Sequence, residues 1–209
     1  MIRGLREILP DNGKAFSSIL ISLKTRNFRL YFTGMCVSLT GTWMQQIAMS
    51  WLVYRLTGSV FLLATVTFMA QIPILLVTPL MSVFVDRFDR QKILILTQSL
   101  SMVQALSMAV LTLSGVIEVW HILILSLLIG CINALDNPTR QAFYPSLVAK
   151  EHLSNAIALN SAVINGSRLI GPAVGGVLIG IFGEGLCFLL NGISYLGVII
   201  ALSLMRLSP

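Results

Sequence analysis

Six long apolar runs, separated by short segments of turn-forming and charged residues, constrain this chain more than any other feature. They cover about residues 28–54, 60–85, 92–113, 119–139, 154–181 and 186–205. A helix rises about 1.5 Å per residue and a bilayer's hydrocarbon core is about 30 Å thick, so roughly 20 apolar residues suffice to cross. Each run is long enough. The separators are Thr57-Gly58-Ser59, a charged island at 86–92, Ser114-Gly115, a loop holding Pro145 and Lys150-Glu151-His152, and Gly183-Glu184-Gly185. The expected fold class is an all-α membrane protein of six transmembrane helices. Composition agrees: 56% of the residues are apolar and 11% charged, against about 45–50% and about 25% in an average soluble domain.

The net charge of +6 would suggest nucleic acid in a soluble protein, but the basic residues are distributed as a topology signal. Arg3, Arg6, Lys14, Lys24, Arg26 and Arg29 precede the first run, Arg87, Arg90 and Lys92 lie in the island, and Arg140, Lys150 and Arg206 follow on the same side. Only Arg55 falls on the other side, and Arg168 lies within a run. Positive loops near helix ends resist translocation, so both termini are expected in the cytoplasm and the protein in the plasma (inner) membrane, with no nucleic-acid partner. Residues 1–27 form a cytoplasmic leading segment in this reading. Within it Phe16, Ile19, Leu20 and Leu23 share a helical face too short to span, which predicts an interfacial helix. Pro10, Asp11, Asn12 and Gly13 interrupt the place where a cleaved signal needs an unbroken apolar core. Cys36, Cys131 and Cys187 lie in apolar runs and read as small buried hydrophobes.

Polar residues inside the runs fall on defined faces. In the first, Gly34, Ser38, Gly41, Gln45 and Ala48 recur at steps of four and three, with Gln46 adjacent; in the second, Thr67, Gln71, Thr78 and Ser82 do so, interrupted by Pro73 and Pro79. Lone amides in a membrane commonly join helices, but Gln45, Gln46 and Gln71 together favour a partly hydrated cavity. The fourth run ends in Asn133-Ala134-Leu135-Asp136-Asn137-Pro138-Thr139-Arg140, where Asp136 and Arg140 are spaced to meet on one face. The fifth places Ser161, Asn165, Arg168, Pro172 and Gly175 on one stripe. An arginine at mid-depth costs about 2.5–3.5 kcal/mol on insertion scales unless it faces a partner or water. No acid lies at comparable depth, so either a second six-helix unit supplies the partner, or Arg168 faces water and anionic substrate groups. Gly171-Pro172-Ala173-Val174-Gly175-Gly176 gives one GxxxG spacing and Gly176 to Gly180 a second, both suited to close helix approach. Gln98 and Gln104 in the third run, and Asn191 with Tyr195 in the sixth, read as scaffold.

The island and its surroundings resemble the major facilitator superfamily. That family's loop between spans 2 and 3 runs Gly, three residues, Asp, Arg, one residue, Gly, then a basic pair. Asp86, Arg87 and Arg90 match it, Ser82 and Asp89 replace the glycines, and Gln91 interrupts the pair. Gly171-Pro172-x-x-Gly175-Gly176 resembles the span 5 signature of its antiporter branches. With Gly41-Thr42-Trp43-Met44-Gln45, Asn133 to Ala142 and Asn155 to Ser161 in order, the chain is similar to the enterobactin-exporter-like branch, which includes macrolide efflux proteins and in which Asp commonly replaces the second glycine. The resemblance runs from about residue 24 to 206.

The resemblance implies one half of a major facilitator fold, three helices and three more related as an inverted repeat, with the second half absent. It implies a proton-driven exporter of small molecules such as siderophores or drugs. It also implies a conformational latch of Asp86, Arg87, Arg90, Asp136 and Arg140, beside the simpler reading of Asp136–Arg140 as an intrahelical pair. Cavity or substrate candidates are Gln45, Gln46, Gln71, Asn133, Asn165 and Arg168; Gly171, Pro172, Gly175 and Gly176 are the packing motif. Expected partners are the bilayer, a small-molecule substrate, protons, and the missing C-terminal half or a second copy. The rival readings are a non-transporting scaffold and a half-transporter acting as a dimer. An enzyme is not expected: HExxH, GxSxG and phosphate-cradling Gly-Lys motifs are missing, His121 and His152 stand alone, and nothing points to a metal or cofactor.

Overall fold

The computed structural model describes residues 21–85 and 87–205. Six long helices carry nearly all of them: α1 (Arg26–Thr57), α2 (Val60–Val85), α3 (Arg90–Leu113), α4 (Val119–Phe143), α5 (Leu153–Phe182) and α6 (Glu184–Ser203). Short 3-10 turns occupy Ile21–Lys24, Tyr144–Ser146 and Lys150–His152, and no strand occurs among the described residues. The expected interfacial helix and Asp86 lie largely or wholly outside them. Five of the helices are long and apolar enough to cross a membrane. The exception, α1, has the length at 32 residues but not the hydropathy. It carries Thr40, Thr42, Gln45, Gln46 and Ser50 because it lines both the polar interior and the cleft described below.

Local chemistry sets the helix ends. Gly58 stops α1 in a left-handed conformation, φ 61°, with its N–H on the Tyr54 carbonyl at 2.8 Å, a backbone shape that glycine adopts without a Cβ clash. Gly183, at φ 81° and ψ 174°, is by itself the whole connection between α5 and α6. Asp89 caps α3, its Oδ1 accepting from the Gln91 N–H at 2.9 Å, a contribution of about 1 kcal/mol. His121 Nδ1 accepts from the Glu118 N–H at 3.1 Å at the start of α4, and the Trp120 indole donates to Glu118 at 2.6 Å. Helix α4 continues through Pro138 to Phe143.

Neighbours in space are mostly not neighbours in sequence. Helix α1 packs along α5 and α6, α3 along α4 and α6, and α2 along α4. Two apolar clusters result. One, toward the α2–α3 connection, gathers Phe28, Tyr31, Met35, Leu94, Phe143, Val198 and Leu202. The other, toward the opposite end, gathers Leu52, Val53, Met108, Ile122 and Phe188. On α1, α3 and α6 alike, a buried polar layer separates the two: Ser38 and Gln45, Thr97 to Gln104, and Asn191 with Ser194. Large apolar side chains such as Phe61, Leu75 and Leu80 of α2 and Leu169 and Val177 of α5 point outward, as a lipid-facing surface requires.

Candidate functional site

The polar layer is held by a chain of amides. Asn191 Nδ2 of α6 donates to Gln45 Oε1 of α1 at 2.7 Å, Gln45 Nε2 donates to Gln104 Oε1 of α3 at 3.1 Å, and Gln104 Nε2 donates to the Leu125 carbonyl of α4 at 3.3 Å. Four helices are thus joined through hydrogen bonds shielded from water, where leaving any member unpaired is costly. The Tyr195 hydroxyl sits 3.3 Å from Thr42 Oγ1, extending the α1–α6 contact. Gln104 and Asn191 act as scaffold, and Gln45 is drawn into the same network.

Beside this layer, α1, α2, α4 and α5 enclose a cleft of about 420 Å³, within the range of small-molecule sites. Gln45, Gln46, Gln71, Asn133 and Arg168, from four helices, all line it. Asn165 does not; its Nδ2 donates to the Ser161 carbonyl of its own helix at 2.8 Å. The structure adds Trp43, Asn137, Thr42, Ser50 and Thr67 as polar or aromatic lining, with Met49, Ile74 and Ile129 as apolar wall. Asn137 lies four residues after Asn133, so the helical period alone could have found it. The contact of Trp43 with Arg168 could not be found that way: the Arg168 guanidinium carbon stands 4.7 Å from the Trp43 ring centre across the α1–α5 interface, a cation–π distance.

That interface depends on one of the two GxxxG spacings. A Cβ built on Gly171 would lie 2.6 Å from the Trp43 Cβ and 2.8 Å from the Thr40 carbonyl oxygen, and one on Gly175 would lie 3.2 Å from Met44 Cγ. Gly176 and Gly180 meet nothing within 4 Å. Of the glycines expected to pack helices together, Gly171 and Gly175 do so inside this chain, and Gly176 faces outward on the other side of α5.

Charged residues at the α2–α3 end form a separate site. Asp136 is 4% exposed. Its Oδ1 accepts from Thr97 Oγ1 at 2.6 Å and Gln98 Nε2 at 2.9 Å, both on α3, and its Oδ2 accepts from Arg140 Nε at 2.9 Å and from Arg140 Nη2. Arg140 also contacts the Met35 sulfur of α1. Arg90 Nη1 donates to the Ala142 carbonyl in the last turn of α4 at 3.0 Å, where the helix end is partly negative. Arg87 is exposed. The expected latch therefore has Asp136 and Arg140 paired within α4, Arg90 bound to the end of that helix, and Asp86 outside the described residues. Two departures from the loop pattern have local work: Asp89 caps α3, and Gln91 Nε2 donates to the Leu202 carbonyl at 2.5 Å, tying α3 to the end of α6.

At the opposite end Arg55 grips Glu184 through Nε at 2.7 Å and Nη2 at 3.2 Å, a two-point pair between the end of α1 and the start of α6. Glu184 is 5% exposed. Sequence reasoning missed this pair because its members are 129 residues apart. Among the described residues no group of three His, Cys, Asp or Glu could hold a metal.

A family profile described as transmembrane secretion effector matches residues 17–208. The chain is 31% identical over 168 residues to the staphyloferrin A transporter of Staphylococcus aureus, covering 80% of this chain and 42% of that one. It is 28% identical over 162 residues to macrolide efflux protein A of Streptococcus pyogenes, covering 74% and 39%, and 25% identical over 167 residues to the multidrug efflux pump Tap of Mycolicibacterium fortuitum, covering 77% and 41%. It spans about two fifths of the length of these relatives, which are named as transporters and pumps and are not enzymes. No solved structure matches it significantly. Five membrane-crossing helices, a polar cleft among four of the six, and a profile covering nearly all of its residues make this a multi-pass membrane protein, and the chain belongs to the transmembrane secretion effector family of the major facilitator superfamily.

Proposed function

We propose that the chain forms the N-terminal six-helix half of a secondary active exporter of small molecules such as siderophores or drugs, coupled to protons. The observation that carries this reading is the cleft: α1, α2, α4 and α5 bring five amides and an arginine to one polar concavity within membrane-spanning helices. Polar groups at membrane depth are costly unless they serve a pathway or a partner. The named activities of the relatives, transport of staphyloferrin A and efflux of macrolides, give the substrate classes to try first.

Packing supports an inverted repeat of three helices. Exchanging α1, α2, α3 with α4, α5, α6 turns the α2–α4 contact into α5–α1 and the α1–α6 contact into α4–α3, and all four contacts occur. Such repeats place substrate sites near the bilayer midplane between two six-helix units. The outward Gly176 and Gly180 of α5 suit close approach by that second unit, whether a C-terminal half or another copy of this chain. Described basic residues gather at the α2–α3 end, with Arg55 alone opposite, which supports cytoplasmic termini in the plasma membrane.

The test is flux in sealed, inverted membrane vesicles holding the chain alone or co-expressed with a C-terminal half of the staphyloferrin A relative. Accumulation of labelled staphyloferrin A above vesicles lacking the chain is expected under an imposed pH gradient. Flux indifferent to the gradient removes proton coupling. No flux in either format favours the scaffold reading.

A further inference from the structure

We propose that the cleft selects small amphiphilic anions, binding a carboxylate or similar oxyanion through the Arg168 guanidinium as Trp43 holds it. The inference rests on reading the cleft as the substrate site, and it adds the charge of the occupant.

Charge inventory is the first argument. Arg168 is the one charged residue among the fourteen that line the cleft, and no acid is among them. The ion pairs among the described residues join Arg55 to Glu184, Lys92 to Asp89 and Arg140 to Asp136; Arg168 belongs to none. Its positive charge is therefore offered to the cleft uncompensated, in surroundings less polar than water, where attraction between charges is stronger than in bulk solvent.

Geometry is the second. With its carbon 4.7 Å from the Trp43 ring centre, the guanidinium meets the indole through contact that limits its motion. Its five N–H groups radiate in its own plane, and two of them match the oxygens of a carboxylate. Gly171, one turn beyond Arg168 on α5, lets that helix press against the base of Trp43, so the ring is placed by the helix that carries the arginine. The pair is a prepared fork.

Chemistry of the remaining wall is the third. Gln46, Gln71 and Asn133 each offer both donors and acceptors, so they orient a polar ligand without choosing its charge. Met49, Ile74 and Ile129 give an apolar body somewhere to rest. Only Arg168 discriminates by charge, and it rejects cations.

The experiment is equilibrium dialysis of the full chain in lipid nanodiscs, with empty nanodiscs subtracted, against 2-naphthoate, 2-naphthamide and 2-naphthylmethylammonium. These share a ring system and differ in charge. Naphthoate is expected to bind about tenfold or more tighter than either analogue, as a charge-assisted two-point contact would give. R168Q should abolish that preference, lowering naphthoate affinity about tenfold or more and naphthamide affinity by much less. R168K, which keeps the charge but not the planar fork, should retain part of it, and W43A should weaken it several-fold. Equal affinities, tighter binding of the ammonium, no binding of naphthoate, or a preference that survives R168Q would each overturn the proposal. Vesicle flux separates it from the transport reading: anion preference without flux leaves this inference standing, and flux without anion preference leaves the other.

Discussion

Asp136 on α4 and Arg168 on α5 each set a charge within a long apolar helix, and their surroundings are opposite. Asp136 is enclosed, 4% exposed, and accepts four hydrogen bonds from Thr97, Gln98 and Arg140. Arg168 is exposed to a cleft, has a ring face on one side, and pairs with no carboxylate among the described residues. A charge whose bonds are all made within the bundle holds helices together; a charge left with free donors in a concavity is available to something else. Composition cannot distinguish these cases, since both are lone ionisable residues in runs long enough to span.

The sharpest way to break the comparison is Asp136→Ala. It leaves the half-buried Arg140 beside Met35 without its counter-ion, takes the acceptor from Gln98 Nε2, and leaves Thr97 only the Leu94 carbonyl. Losing one partner of a buried pair costs about 3–5 kcal/mol, which should appear as a large drop in the thermal unfolding temperature of the detergent-solubilised protein and in expression. Asp136→Asn, which keeps the shape and some of the hydrogen bonds, should fall between this variant and wild type. Unchanged melting in both would mean that the enclosed cluster does not hold α3 to α4.

Next in size is Gly171→Ala. The new methyl would stand 2.6 Å from the Trp43 Cβ and 2.8 Å from the Thr40 carbonyl, so α5 must move away from α1, at about 1–3 kcal/mol for overpacking. Gly176→Ala, which meets nothing within 4 Å, should leave the melting temperature of this chain unchanged or slightly raised. Equal losses would show that both GxxxG faces are packed in the solubilised particle, and light scattering would then look for a second copy.

These glycines also show what could be read from sequence and what could not. The helices were legible because apolar runs and Gly58, Gly115 and Gly183 punctuate the chain, and the Asp136–Arg140 pair because its spacing is local. Which of two successive GxxxG spacings turns inward depends on where α1 lies, and no helical period contains that. The same holds for Thr97 and Gln98 on Asp136, for Arg55 on Glu184, and for the Trp43–Arg168 contact, each a meeting of distant segments. The cleft was legible in part: polar residues within the apolar runs brought Gln45, Gln46, Gln71, Asn133 and Arg168 into consideration and all line it, but Asn165 lies on the stripe of Arg168 and still turns to its own helix. Asp89 and Gln91 look like defects in a loop pattern until the α3 cap and the α3–α6 tie are seen.

A smaller effect is expected where the polar layer is cut. Asn191→Ala removes the donor to Gln45 Oε1, with Gln104 still holding the other end of the amide, so one buried acceptor is left unpaired at about 1–2 kcal/mol. Because Gln45 also borders the cleft, that variant should loosen the wall beside Trp43, and hydrogen exchange of the α1 and α6 backbone around Gln45 and Asn191 would report it. A variant as stable and as protected as wild type would mean that water replaces the lost amide, making the layer wetter than its burial suggests.

The smallest expected change in stability comes from Arg168→Gln. Its guanidinium lines open space and its partner is a ring that keeps its α5 contact through Gly171, so removing the charge should shift unfolding by no more than about 0.5 kcal/mol, the scale of an exposed substitution. That value is the counterpart of the Asp136 result, and it has a meaning beyond its size. In a chain folded in lipid, deleting a charge that only burdens the helix should stabilise it, and deleting one that supports the fold should weaken it. A near-zero shift, measured in the nanodiscs used for binding, is what a recognition residue shows when its contacts await a ligand. A loss of several kcal/mol would place Arg168 with Asp136 as a structural charge, and its partner would then have to be sought in a second six-helix unit rather than in the cleft.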